Sequence, residues 1–386
     1  MAVLTKKLYI KNSAGTQQTA EIYTTVDEAG ANYLNLKVGS TNAYVPLIDI
    51  NHANATSGRV NKGGTIYAIA KKKAGLSRIA ATELSVARSS LEATSNGSYA
   101  IFAGGGTSVD AYNASLTRST PTALSVARDD FAAASIGSYA LFSGGGEYYT
   151  DGYASVDAYN TSLTRSNPKP LRLGVELHAG TSNGSYAIFA GGLDEESVLV
   201  STVNAYNASL TLTNATALSL SKSLIGAASV GDYAIFAGGG ADSGCTNTVD
   251  AYNKSLTRSA PTVLSQARDS LAGVKIGNYA LFGGGWSSAP TNIVEVYNTS
   301  LTRSTATSLS QARYNLVAAS VGNYALFAGG NENYLATVYS TVDAYDTSLT
   351  HSVPTALSQA RTNFAAASIG SYALFGGGYI TTGSYI

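Results

Sequence analysis

The sequence predicts an all-β protein, a seven-bladed β-propeller over residues 76–386 behind a small β module over residues 1–75. Three observations predict it. The pattern Tyr-Ala-[Ile/Leu]-Phe-x-Gly-Gly starts at Tyr99, Tyr139, Tyr186, Tyr233, Tyr279, Tyr324 and Tyr372, at spacings of 40, 47, 47, 46, 45 and 48 residues. A unit recurring at that period is the signature of propeller blades. A second pattern, [Asp/Asn/Glu]-[Ala/Val]-Tyr-[Asn/Asp], starts at Asp110, Asp157, Asn204, Asp250, Glu295 and Asp343. Finally, Ala-rich runs such as "FAAAS" join the Tyr-Ala run through a Gly-containing tight turn, as a hairpin requires.

The elements follow in chain order. In residues 1–75, "KKLYIKN", "TAEIYTT", "YLNLKV" and "AYVPLI" read as short strands, and "RVNKGGTIYAIAKK" as a hairpin around Asn61–Gly64. A module of this size is marginal alone, so contact with the propeller or with other chains, copies of itself included, is expected. Each later unit reads as four strands. The first is Ala-rich because innermost strands crowd around a narrow axis. In the second, Tyr139 and Leu141 face one way and Ala140 and Phe142 the other. Gly144 and Gly145 end it where the backbone turns sharply. The third strand carries "VDAY", and the fourth, with Thr and Leu, follows a turn. The last copy, "SYALFGGGYITTGSYI", reaches a third strand at best, whereas "AGLSRIAATELSVAR" before the first hairpin matches "ASLTRSTPTALSVAR". The N-terminal side is therefore expected to supply the missing fourth strand and seal the ring, which removes exposed sheet edges.

Composition narrows the function classes. Charged residues are 12% and apolar residues 45%, which suits a folded, weakly charged chain. Residues 1–75 carry nine Lys/Arg against four Asp/Glu, which leaves fifteen against twenty for residues 76–386. An acidic body has no electrostatic reason to bind nucleic acid. One cysteine, Cys245, excludes an intrachain disulfide framework and a Cys-rich zinc site. The start "MAVLTKKLYIKNSAG" has no apolar run of signal-peptide length, and nothing approaches a membrane span. Synthesis in a cytoplasm without membrane insertion is expected.

The combination of Tyr-x-x-Phe-x-Gly-Gly, then Val-x-x-Tyr-[Asn/Asp], then an Arg before the next first strand resembles the kelch repeat of β-propellers, over about residues 76–386. The likeness departs at one point. The kelch fourth strand normally carries a Trp, and the only Trp here, Trp286, lies in a variable loop. Residues 1–75, with "MAVLTKKLYIKN" and "EIYTT", look like the N-terminal modules of tail-fibre and receptor-binding proteins of phages and prophages of Gram-positive bacteria. That resemblance implies attachment to tail or baseplate proteins through this module, a virion location, and a propeller that meets the host.

The frame of each blade is copied almost letter for letter, but the segments between second and third strands are not. They are "EYYTDGYAS" at 147–155, "LDEESVLVST" at 193–202, "ADSGCTNT" at 241–248, "WSSAPTN" at 286–292, "NENYLATVYST" at 331–341 and "YITTG" at 379–383. Tyr, Trp, Ser, Gly, Asn and Thr are the residues of binding loops. Candidate binding residues are Tyr148, Tyr149, Tyr153, Asp194, Glu195, Trp286, Asn331, Glu332, Tyr334 and Tyr339. Loop tips also diverge without purpose, but this many aromatic residues would be unusual filler.

Arg88, Arg128, Arg268, Arg313 and Arg361 enter the same face at the starts of first strands, with Val175 and Lys222 in the series. They read in two ways. Each Arg bonds loop carbonyls of its own blade, the favoured reading, or a partial ring of guanidiniums holds a carboxylate, sulfate or acidic glycan. The kelch resemblance keeps the second open, since arginines near these positions in kelch adaptors bind acidic peptides.

Catalysis finds little support. His52, His178 and His351 fall in different contexts, and His178, at the Phe131 position of its blade, reads as a core or lining residue. Galactose oxidase, a kelch-type enzyme, needs a Tyr, Cys and His copper set that these residues do not match. Asp194, Glu195 and Glu196 lack the alternating oxygen ligands of a calcium loop, so neither a metal nor a cofactor is expected, and Cys245 has no basic partner to activate it. The Asn-x-Ser triplets at Asn113, Asn160, Asn207, Asn253 and Asn298 match glycosylation acceptors but read as turns from strand three to four. The expected function is a non-enzymatic receptor-binding protein that recognises a bacterial surface glycan or protein through the variable loops. A scaffolding or adaptor propeller and a sugar-active enzyme remain open alternatives.

Overall fold

The computed structural model describes residues 76–147, 152–333 and 337–380 with their side chains, and in the N-terminal part the backbone of strands between Val3 and Ala70. The chain divides into two compact units, Met1–Ser77 and Arg78–Ile386. In the first, Val3–Lys11, Gln17–Val26, Asn32–Val38 and Thr41–Val45 form an antiparallel sheet in chain order. Leu47–Asp49 runs parallel to Ile66–Ala70, which pairs antiparallel with Arg59–Val60. The turn expected around Asn61–Gly64 lies outside the described residues.

The second unit is an all-β propeller, with no helix among the described residues. Blade one comprises Leu91–Ser95, Tyr99–Gly104, Val109–Asn113 and Arg118–Ser119. Blade two comprises Ala132–Ile136, Tyr139–Ser143, Val156–Tyr159 and Arg165–Ser166. Blade three comprises Ala179–Ser182, Ala187–Ala190, Val203–Tyr206 and Leu212–Asn214. Blades four to six start at Gly226, Ala272 and Val317 and repeat the same antiparallel meander.

The blade count is six, not the seven expected: six sheets have four strands, and the last copy contributes only the hairpin of Ala365–Ile369 with Tyr372–Gly376. The physical reason lies at the termini. Residues 76–90 contain no strand, so the fourth strand expected from the N-terminal side is not formed there, and residues 381–386, where a third would fall, lie outside the described residues. The stretch does imitate its counterpart in its acceptors. Thr82 and Glu83 carbonyls take hydrogen bonds from Tyr112 Oη and Arg118, as Thr122 and Ala123 take them from Tyr159 Oη and Arg165. The hairpin nevertheless closes the ring. Ala365, Ala367 and Ile369 pack with Leu91, Phe102 and Tyr112 of blade one, and Gly378 N–H donates to Arg88 O at 2.8 Å.

Core packing follows from strand alternation. Leu141 packs with Ala187 and Phe189 of blade three, whereas Ala140 and Phe142 pack with Ile101 and Ala111 of blade one. Within each blade the second-strand Phe meets the third-strand Tyr edge-on, as in Phe142–Tyr159 at 6.0 Å and Phe282–Tyr297 at 5.9 Å, an arrangement aromatic quadrupoles favour. The crowding predicted for first strands is present: a Cβ on Gly273 would come within 2.3 Å of Ala227 O in the neighbouring blade. The fourth strands are short, and in four blades they start with Arg-Ser rather than the expected Leu, which sits in the preceding turn at φ near 59°, as Leu163 does; blade three has Leu212 there and blade six His351.

That turn accounts for the Asn-x-Ser triplets. Asn160 Oδ1 accepts from Ser162 N at 3.0 Å and Thr164 N at 2.9 Å. Asn113, Asn207, Asn253 and Asn298 do the same, so each side chain is occupied in shaping its own turn.

Candidate binding face

The Gly-Gly pair that ends each second strand fixes the base of the variable loops. Gly145 N–H donates to Val175 O of the next blade at 2.8 Å, and Gly105, Gly192, Gly239, Gly285 and Gly330 repeat this contact. Gly145 lies at φ +82°, and a Cβ there would come within 2.4 Å of Asp129 O, so only glycine allows the approach. The other end of each loop is held as well. Leu171 N donates to Ala154 O and Val175 N to Tyr153 O, with equivalents at Leu218 and Lys222, Leu264 and Arg268, and Leu309 and Arg313. The variable loops of blades two to six are therefore clamped at both ends by the segment that follows each blade.

The candidate aromatic residues divide on this frame. Tyr148, Tyr149 and Tyr334 lie outside the described residues. Tyr153 and Tyr339 are half-buried, and their backbones belong to the clamp: Tyr153 N donates to Gly145 O and Tyr339 N to Gly330 O. Tyr339 Oη also donates to the exposed Glu332 carboxylate at 2.8 Å. Trp286 is half-buried and stands edge-on to Tyr314 of the next blade at 5.1 Å. Asn331 is almost fully buried and accepts from Thr362 Oγ1 at 3.1 Å. Asp194 shapes its own turn by accepting from Glu196 N and Val198 N, and Glu195 is exposed. Trp286, Glu195 and Glu332 thus offer side-chain surface, whereas Asn331 is tied to Thr362 and Asp194 to its own turn.

The arginine series is built into the blades. Arg128 pairs with Asp157 at 2.7 Å and donates to the Gly144 and Ser155 carbonyls, with both side chains of the ion pair fully buried. Arg88 pairs with Asp110, Arg268 with Glu295, Arg313 with Asp343, and Lys222 with Asp250, at 2.6 to 3.3 Å. Burial pulls the Arg128, Arg268 and Arg313 guanidiniums below their ordinary pKa, while the facing carboxylates act in the other direction. Arg361 donates to Gly377 O at 3.0 Å and lies over the Phe364 ring. Each of these carboxylates also caps the incoming connection. Asp157 accepts from Ser125 N and Oγ, and Arg165 of the fourth strand stands 3.6 Å away. The geometry is that of structural ion pairs, not of free guanidiniums around an axis.

Near the axis stand acidic side chains instead, which the sequence reading missed. Residues just before the first strands, Ser90, Asp130, Leu177, Leu224, Ser270, Asn315 and Asn363, all have φ near 50°. They hand hydrogen bonds from blade to blade, as in Leu177 N to Asp130 O at 2.7 Å and Ser90 N to Asn363 O at 3.1 Å. This belt rims a channel mouth of about 290 Å³ into which Glu92 and Asp130 fall. Burial raises the Glu92 carboxyl to about 8, Asp130 adding to the rise, and burial raises Asp129 to about 6. The signal was present as Asp and Glu at positions that vary between copies, just after the arginine series.

Two polar groups suggest chemistry and their surroundings argue against it. His178 Nε2 lies 2.9 Å from Ser143 Oγ, but the serine is sealed from solvent and the histidine nearly so. Burial, reinforced by Arg128, pushes the imidazole down to about 3, so it is neutral at physiological pH. A nucleophile no substrate can reach is a packing feature. Cys245 donates to Asp269 at 3.2 Å, and burial together with that carboxylate raises the thiol to about 11, the opposite of thiolate activation. His351 takes the place of the fourth-strand arginine and bonds Asp343 at 2.7 Å. No group of three metal-ligating side chains occurs among the described residues.

Fold and face together define an all-β propeller with clamped variable loops. Among solved structures, that of YjhT is similar at a TM-score of 0.58 and 14% identity, covering 71% of this chain and 99% of that one. At that identity the likeness speaks for the propeller fold. No family model matches the chain, and no curated protein matches it.

Proposed function

We propose that the chain is a non-enzymatic binding protein, the receptor-binding protein of a phage tail or tail-like particle, which recognises a bacterial surface glycan or protein through the variable loops. On this reading the repeat is kelch-like, residues 1–75 attach to tail or baseplate proteins, and the protein works in the virion. The observation that carries the reading is the contrast between frame and filling. Both ends of the loops of blades two to six are fixed by backbone bonds that recur from blade to blade, while the segments between them share no sequence and include Trp286, Tyr148, Tyr149 and Tyr334. A rigid scaffold that presents diverse aromatic and small polar residues is a recognition architecture.

The test is binding of the full chain to intact Gram-positive cells, beside a variant with Tyr148, Tyr149, Trp286, Tyr334 and Tyr339 changed to Ala. At least a tenfold loss of cell binding at unchanged melting temperature is expected. Retained binding by the variant, or no binding by the parent to any strain in the panel, refutes the reading.

A further inference from the structure

Blade three departs from its neighbours at three places that touch one another elsewhere in the ring. Where blade two has the buried pair Arg128 and Asp157 with the half-buried Arg165, blade three has Val175, Asn204 and Leu212. All charge has gone from the group together, which is what desolvation demands, because a lone buried carboxylate or guanidinium would be costly. An arginine reappears three residues earlier. Arg172 occupies the position held by Ser85, Ser125, Ser219, Ser265 and Ser310 in the other blades.

The consequence is a cavity of about 460 Å³ at the edge of blade three, lined by Arg172, Leu173, Val203, Asn204, Asn214 and Ala215 among others. Its size lies in the range of small-molecule sites. Asn204 is only 3% exposed, and its Oδ1 accepts from Arg172 N at 3.1 Å. That bond fixes the amide orientation and leaves Nδ2 as a donor with no hydrogen-bond partner among the described residues. Arg172 itself is exposed and forms no ion pair among them. Glu176 follows four residues on, and Glu195 Oε1 lies beside Gly174. Leu173, Val203 and Ala215 supply an apolar wall.

We propose that this cavity is a saccharide subsite that takes a sugar ring bearing one carboxylate. The carboxylate pairs with the Arg172 fork, which matches it bidentately. The hydroxyls meet Asn204 Nδ2, the Asn214 amide and the hydroxyls of Ser201 and Thr202, and a C–H face of the ring lies on the apolar wall. The site uses only the base of one variable loop, at Ser201 and Thr202, and none of the aromatic loop residues, so either reading can fail without the other.

The experiment is ligand-observed NMR and calorimetry on the full chain with D-glucuronate and D-galacturonate, beside D-glucose and D-galactose. One uronate or both bind, and the matched neutral hexose binds at least tenfold more weakly. Arg172→Ser, a change at an exposed position to the residue of the other blades, lowers uronate affinity at least tenfold with the melting temperature unchanged. Asn204→Asp, which sets a carboxylate against the ligand's own, abolishes uronate binding. Failure of both uronates to bind at millimolar concentration overturns the proposal. So does equal binding of the neutral hexoses, or unchanged affinity in Arg172→Ser.

Discussion

At the residue scale, the Ser143–His178 pair shows how two departures from a repeat can belong together. Serine stands where other second strands end in Ala or Gly, and histidine where they face Phe, Leu or Ile. Each alone would leave a buried polar group unmatched, and together they form one hydrogen bond between blades two and three. The pair has a pH signature. Because burial holds His178 down at about 3 in the folded state, the unfolded chain takes up a proton below the ordinary value of about 6.5 while the folded chain does not. Its contribution is thus fully present above pH 6.5 and shrinks as pH falls toward 3. Replacing both residues by the repeat's own choices, Ser143→Ala with His178→Phe, is expected to flatten the fall in melting temperature between pH 6.5 and 4. Parallel curves for parent and variant would contradict this. The sequence already marked His178 as a core residue, but its partner was illegible, because Ser143 and His178 are 35 positions apart and meet only through blade packing.

At the scale of the element, a blade is organised around a buried carboxylate that ties three strand segments together. Asp157 holds the incoming connection at Ser125, the buried Arg128 and the fourth-strand Arg165. Arg128→Ala would strand that carboxylate and is expected to cost about 3–5 kcal/mol in denaturant unfolding. Blade three indicates how to remove the group harmlessly. The triple change Arg128→Val, Asp157→Asn and Arg165→Leu should recover at least half of that loss, since no charge remains to be solvated. A triple variant less stable than Arg128→Ala would disprove the compensation. The repeat pattern made the strands, the hairpin turns and the clamping glycines legible from sequence, because each rests on local periodicity or a φ requirement. The role of the arginines was not decided there, since the second pattern and the Arg lie about 30 residues apart, as in Arg128 and Asp157. Their pairing becomes visible only once strand register puts them side by side.

At the scale of the whole molecule, the fold class and the repeat unit were legible, but the number of complete blades was not. Seven copies of one motif predicted seven complete blades, the last sealed by a strand from the N-terminal side, whereas four-stranded propeller sheets number six and the last copy supplies a hairpin. A motif that marks the inner two strands cannot report whether outer strands follow. Closure depends on the inner strands, and the hairpin provides those: Ile369 packs against blade one as Ile136 packs against blade three. Both isoleucines are nearly buried, at 5% and 4% exposure. In a closed ring no interface is terminal, so weakening the last one should cost as much as weakening one inside. Ile369→Ala and Ile136→Ala are therefore each expected to lose about 2–5 kcal/mol of stability, within about 1 kcal/mol of each other on the same scale, in a single urea transition. If the hairpin instead ended an open array, as in a solenoid whose end repeats can fray, Ile369→Ala would cost much less, or would split unfolding into two steps. Either result would show that the ring is not closed through Ala365–Ile369.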